Sequence, residues 1–161
     1  MSDQAKHLKR YQKELEGHLV LDDLGQIVLK GHLLIEKALN NVITAIFAHP
    51  EYVEGGNFGF AQKVRIVRAY APGTDSADMW GRISTINGLR NEIAHNLDHS
   101  GRKRRIEELH RYMVGDITPE LLKTPEGLNT PAGALIVCLE CLGFLSSLEA
   151  KVRKLHPSKS G

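Results

Sequence analysis

From Ile27 to Ala48 the chain carries an apolar face too broad and too regular for anything but a buried helix. Leu29, Leu33, Ile35, Leu39, Val42, Ile43 and Ile46 fall at helical spacing. His49-Pro50 closes this segment, because proline disfavours helix in the residue before it. The same period runs through most of the rest. A more polar helix is expected from about Ala5 to Leu24, with Leu8, Tyr11, Leu15, Leu19 and Val20 near one stripe. "PEYVEGGNFGF" reads as a loop, with Asn57 as the cap of a third helix from about Phe58 to Tyr70. After "APGTDSAD", in which Thr74, Asp75 or Ser76 can cap, a fourth helix runs from about Ala77 to His95. "NLDHSG" is a turn, and a basic helix follows from about Arg102 to Val114. A long connection, with one turn at Pro119 to Leu122, leads to a last helix from Thr130-Pro131 to about Leu155. No convincing alternating strand is present. The expectation is all-α: one domain over residues 1–161, a compact antiparallel bundle of about five to six helices. The tail from about 156 to 161 is expected to be disordered.

Length and composition agree with a soluble globular domain. The 161 residues suffice for a real core, with 42% hydrophobic and 25% charged residues. Only two cysteines are present, Cys138 and Cys141, inside "LIVCLECLGF". Two are too few for a disulfide framework, and buried, inert thiols in a reducing cytoplasmic setting are the simplest reading. The N-terminus lacks the apolar core of a secretory signal. No apolar run approaches the ~20 residues needed to cross a bilayer, so no membrane association is expected.

The net charge of +2 excludes a strong global field. The charge is uneven, however: Arg82 to Arg111 holds seven Lys/Arg against four Asp/Glu, a local +3. Such a zone points to a phosphate-bearing partner better than the total does. Within it lies "INGLRNEIAH". On a helix Asn91 and His95 share a face, and Arg90 lies about 140° from His95 with a side chain long enough to sweep back. Leu89, Ile93 and Ala94 are expected on the packing side, with Ala94 small enough to admit another backbone.

A guanidinium, an amide and an imidazole at one rim suit RNA, which carries its own 2′-hydroxyl nucleophile. Histidine can take or give the proton near neutral pH. Arginine is a fixed-charge fork for phosphate oxygens. One histidine per chain is short of a separate base and acid, so two chains about a two-fold axis belong to this reading. The structural alternative is ordinary helix-end chemistry, with His95 on the helix dipole and Arg90 paired with Glu92 or another acid.

"RNEIAHN" resembles the Arg-Asn-x-x-Ala-His form of the signature of HEPN domains (higher eukaryotes and prokaryotes nucleotide-binding). "LKGHLLIEKALNNVI", then "FGFAQKVRIVRAY" and "ISTINGLRNEIAH", are similar in content and order to the mannitol-operon-repressor-like bacterial branch. The resemblance covers about Gln26 to Asn96. It implies a dimeric helical bundle whose motifs face each other across a cleft. It further implies a metal-independent endoribonuclease of a toxin–antitoxin, phage-defence or RNA-processing system, cutting single-stranded RNA without a cofactor. Carried over by position, Arg90 binds the scissile phosphate, His95 is the acid/base and Asn91 supports them. Glu36, on the helix near the dimer cleft, would orient a partner group. Other members act without cleavage, so the alternative is a transcriptional regulator or the binding half of a complex with an antitoxin or nucleotidyltransferase.

Arg102, Lys103, Arg104 and Arg105 are candidates for an RNA backbone track leading to the motif. They can equally pair with Glu107 and Glu108 on a solvated helix. His95, His99 and His110 approach a zinc spacing but lack a completing ligand, so no metal is expected. His32 and Glu36 share a face of the second helix, and a carboxylate there needs a partner, Arg90 or Arg65 being the expected ones.

Overall fold

The computed structural model describes residues 9, 10, 13, 24–95, 100–113 and 118–157. Every regular element among them is helical: α1 (Leu24–Ile46), α2 (Glu51–Glu54), α3 (Phe60–Tyr70), α4 (Ala77–His95), α5 (Ser100–His110), a 3-10 turn (Glu120–Lys123), α6 (Pro125–Leu128) and α7 (Pro131–Leu155). The expected first helix lies almost wholly outside the described residues, as do positions 96–99 of the expected turn and 158–161 of the tail.

The fold is built on α1 and α7, which share the most extensive contact in the molecule. α3 and α4 pack on α1, α4 also meets α7, and α5 lies along α4. Ile35, Leu39, Val42 and Ile43 of α1 meet Trp80, Ile83, Ile86 and Leu89 of α4 and Val137, Cys141, Leu142 and Leu145 of α7 in one core. Trp80 packs edge-on to Phe144, ring centroids 5.0 Å apart. Arg82 is buried among these helices. It pairs with Glu140 of α7 at 2.9 Å and donates to the Tyr112 carbonyl at 2.9 Å, so one guanidinium ties α4, α7 and the turn after α5. Burial pushes the Glu140 carboxyl above its ordinary value, while Arg82 opposes that shift.

Several boundaries differ from the sequence expectation, each for a local reason. Leu33 is 62% exposed. It lies two residues from Ile35, about 200° round the helix, so the core stripe cannot hold both. α1 stops at Ile46, before the His49-Pro50 signal, and the expected loop contains the short helix α2. Asn57 does not cap α3, because its φ of 52° puts it in the left-handed region. Gly59 takes the cap position instead, its N–H donating to the Gln62 side chain at 2.8 Å. Asp75 is bound by Arg68, and Ser76 gives α4 its first backbone acceptor, to Trp80 N at 3.1 Å.

The basic helix runs from Ser100 to His110 rather than from Arg102 to Val114. The long connection holds both the 3-10 turn and α6. α6 and α7 begin alike. In "TPEG" and "TPAG" the threonine hydroxyl accepts from the glycine N–H, Thr124 from Gly127 at 3.2 Å and Thr130 from Gly133 at 3.0 Å. Both glycines are required by close approach: a Cβ at Gly133 would meet the Gly127 carbonyl at 2.1 Å, and one at Gly127 the Leu121 carbonyl at 1.7 Å. His156, assigned to the tail, meets the Tyr70 hydroxyl. By length and composition alone α7 could cross a bilayer, which the expectation of no such apolar run overlooked; half of that stretch is buried in the bundle.

α1 and α7 approach closely where glycine faces cysteine. A Cβ at Gly31 would lie 2.4 Å from the Cys138 Sγ. Gly31→Ala is expected to destabilise the protein by about 1–2 kcal/mol, overpacking outweighing the gain in helix propensity. In a Cys138→Ala background the same substitution should cost clearly less. A urea-denaturation double-mutant cycle measures this, and additive effects would show that the two positions are not in contact.

Candidate functional site

α4 carries the site. Its buried residues, Trp80, Arg82, Ile83, Thr85, Ile86 and Leu89, hold one side against α1 and α7. The arc that borders this packed side presents Asn87, Arg90, Asn91 and His95, spaced i, i+3, i+4 and i+8. Asn91 and His95 are exposed, Asn87 and Arg90 half-buried. Arg90 Nη1 donates to Asn91 Oδ1 at 3.1 Å. Among the described residues Arg90 has no carboxylate within ion-pair distance, and no side chain hydrogen-bonds to His95. Ala94, expected in a helix–helix contact, is exposed, because Leu89 and Ile93 already span the packing side.

Glu92 does not pair with Arg90. It faces α5, where Arg104 Nη2 reaches it at 3.2 Å and Arg105 Nε lies 3.9 Å away. Arg105 also pairs with Glu108 at 2.8 Å. Gly88 and Gly101 allow this contact: a Cβ at Gly88 would lie 2.9 Å from the Arg105 guanidinium, and one at Gly101 2.2 Å from the Glu92 carboxylate. The four basic residues thus divide. Arg104 and Arg105 turn toward α4. Arg102 donates to Asn129 at 3.0 Å and, with Lys103, Glu107 and Glu126, lines a groove of about 670 Å³ between α5 and α6. The motif residues do not line that groove. His110 is tied to the Lys123 carbonyl at 2.8 Å, and His99 lies outside the described residues. Among the described residues no three His, Cys, Asp or Glu side chains gather as a metal set.

Glu36 pairs with Lys63 of α3 at 2.8 Å, not with Arg90 or Arg65. One turn away, His32 is buried and stacks on Phe60, with centroids 4.4 Å apart. Its Nε2–H donates to Asn87 Oδ1 at 3.0 Å. Sequence reasoning singled out His32 but missed Asn87, whose only signal was its place one turn before the motif. Burial pushes His32 below its ordinary pKa, the Asn87 bond and the Glu36 charge oppose this, and the Arg90 charge adds to it. The imidazole is therefore neutral at pH 7, and its Nδ1 is buried with no hydrogen-bond partner among the described residues.

Comparison with protein-family models, curated proteins and solved structures finds no match to this chain.

Two outcomes are expected. His32 has a lower pKa folded than unfolded, where it is about 6.5, so the unfolded chain binds more protons below that value. Its contribution is complete above about pH 6.5 and is lost as pH falls through the folded value. His32→Gln should flatten the acid side of the stability profile, read as denaturation midpoints against pH. The two thiols are buried and free, and burial raises Cys138 to about 12 and Cys141 well above its ordinary value. Neither should react with a thiol reagent at pH 8 until the protein unfolds; prompt labelling of the native protein would contradict this.

Proposed function

We propose that the chain is a HEPN-type endoribonuclease that cuts single-stranded RNA without a metal. The observation that carries this reading is a guanidinium unpaired with any described carboxylate, half-buried on the same helix arc as an exposed amide and an exposed imidazole. Arg90 and Asn91 would hold the scissile phosphate, and His95 would take the proton from the 2′-hydroxyl. The 2′-oxygen then attacks phosphorus and the P–O5′ bond breaks. The 5′-oxygen leaves with a proton, and a 2′,3′-cyclic phosphate remains. A second His95 would donate that proton, which makes a symmetric homodimer part of the reading. The exposed Ala94 and His95 at the end of α4 leave room for a second copy there.

One observation favours the non-catalytic alternative. Arg102, Arg104 and Arg105 are engaged with Asn129, Glu92 and Glu108, so the basic segment is partly neutralised within the chain. A module that binds a protein partner, an antitoxin or a nucleotidyltransferase, needs less exposed charge than an RNA track does.

Purified protein incubated with single-stranded RNA in EDTA separates the two. Cleavage ending in 2′,3′-cyclic phosphate, lost by about a hundred-fold or more in Arg90→Ala and His95→Ala and kept in Arg104→Ala, is expected of the enzyme. Intact RNA with wild type, or a His95→Ala protein that cuts as well as wild type, removes it in favour of the binding module.

A further inference from the structure

We infer that Asn87 is a further phosphate-binding residue of this site, and that His32 is the positioning residue that turns its amide outward. The inference rests on the reading of the α4 arc as an RNA-phosphate site.

An amide side chain has one oxygen acceptor and two N–H donors, and it serves an anion only when the donors face it. Asn87 Oδ1 is occupied by the His32 Nε2–H at 3.0 Å. That bond fixes the amide rotamer, so Nδ2 points away from the imidazole and donates to no described group. His32 is itself held: it is buried, stacked on Phe60 and flanked by Glu36, which Lys63 of α3 engages. A buried ring clamped between α1, α3 and α4 has no second orientation to adopt, so the Asn87 rotamer is set by the core.

The same logic applies one turn later. Asn91 Oδ1 is occupied by Arg90 Nη1 at 3.1 Å, which leaves the Asn91 NH2 as its free group. Both amide oxygens on this arc are therefore engaged within the chain. Two amide NH2 groups and the rest of the guanidinium are left without a described partner, within about 100° around one helix axis. These three groups offer donors and no acceptors, which selects for an anion with several oxygens, and a phosphodiester has that chemistry. A neutral His32 also fits the arrangement, because a second cation beside Arg90 would destabilise the empty site.

The test uses the full chain and a fluorescein-labelled 2′-O-methyl oligonucleotide, which lacks the attacking hydroxyl and so reports binding alone. Dissociation constants are measured by anisotropy at several salt concentrations. Asn87→Ala should weaken binding about ten-fold with an unchanged salt slope, because no charge is removed, whereas Arg90→Ala should lower the slope by about one. His32→Leu should match Asn87→Ala. His32→Gln, whose NH2 can replace the Nε2–H, should bind within about two-fold of wild type. Asn87→Ala binding as tightly as wild type overturns the assignment of Asn87. Equal binding by His32→Leu and His32→Gln overturns the positioning role of His32. A wild type that binds no oligonucleotide overturns the phosphate site altogether, whereas loss confined to the Asn87 and His32 variants leaves the proposed function standing.

Discussion

The architecture depends on how closely α1 and α7 approach each other. Gly31 has no side chain where Cys138 projects, and that missing Cβ lets two helices of 23 and 25 residues pack along their length. Everything else is added to this pair. α3 and α4 cover α1, and α4 meets α7 where Trp80 packs on Phe144. The constraint is one of volume, and protein interiors have little slack for it. It also explains why the two cysteines are inert, since the surface that makes the helices fit removes both thiols from water.

Charge then decides how the outer elements attach. Arg82 is buried with its hydrogen bonds met by Glu140 and the Tyr112 carbonyl, which tolerates a cation in the core and positions the segment after α5. Glu92 draws Arg104 and Arg105 across to α4. Because Glu92 is engaged there, Arg90 keeps its guanidinium for another partner, although the two residues lie only two apart in sequence. The site is defined as much by where the neighbouring acid points as by the motif itself.

Much of the fold was legible in the residues. The α4 boundaries, Ala77 and His95, follow from helical period between a turn cluster and a second turn, and the α7 start follows from Thr130-Pro131. α6 was missed although "TPEG" repeats the cap chemistry of "TPAG" a few residues later; a four-residue helix leaves no periodicity to detect. Leu33 was misplaced because apolar character does not say which side of a helix is buried. Arg90, Asn91 and His95 were legible as a shared rim, since i, i+4 geometry is local. Lys63 as the partner of Glu36, and Asn129 as the partner of Arg102, were not, because both pairs join different helices.

By itself the amino-acid sequence determined that the described residues are helical, where α4 and α7 lie, and that a guanidinium, an amide and an imidazole lie close together on one helix. Each of these follows from spacing along the chain, which fixes direction around a single helix axis. Only the tertiary structure decided that His32 reaches Asn87 across 55 residues, that Glu92 turns to α5, and that the basic residues divide between two faces. Those outcomes depend on which helices touch and at what depth, and packing between helices is settled by the volumes and charges of all of them together.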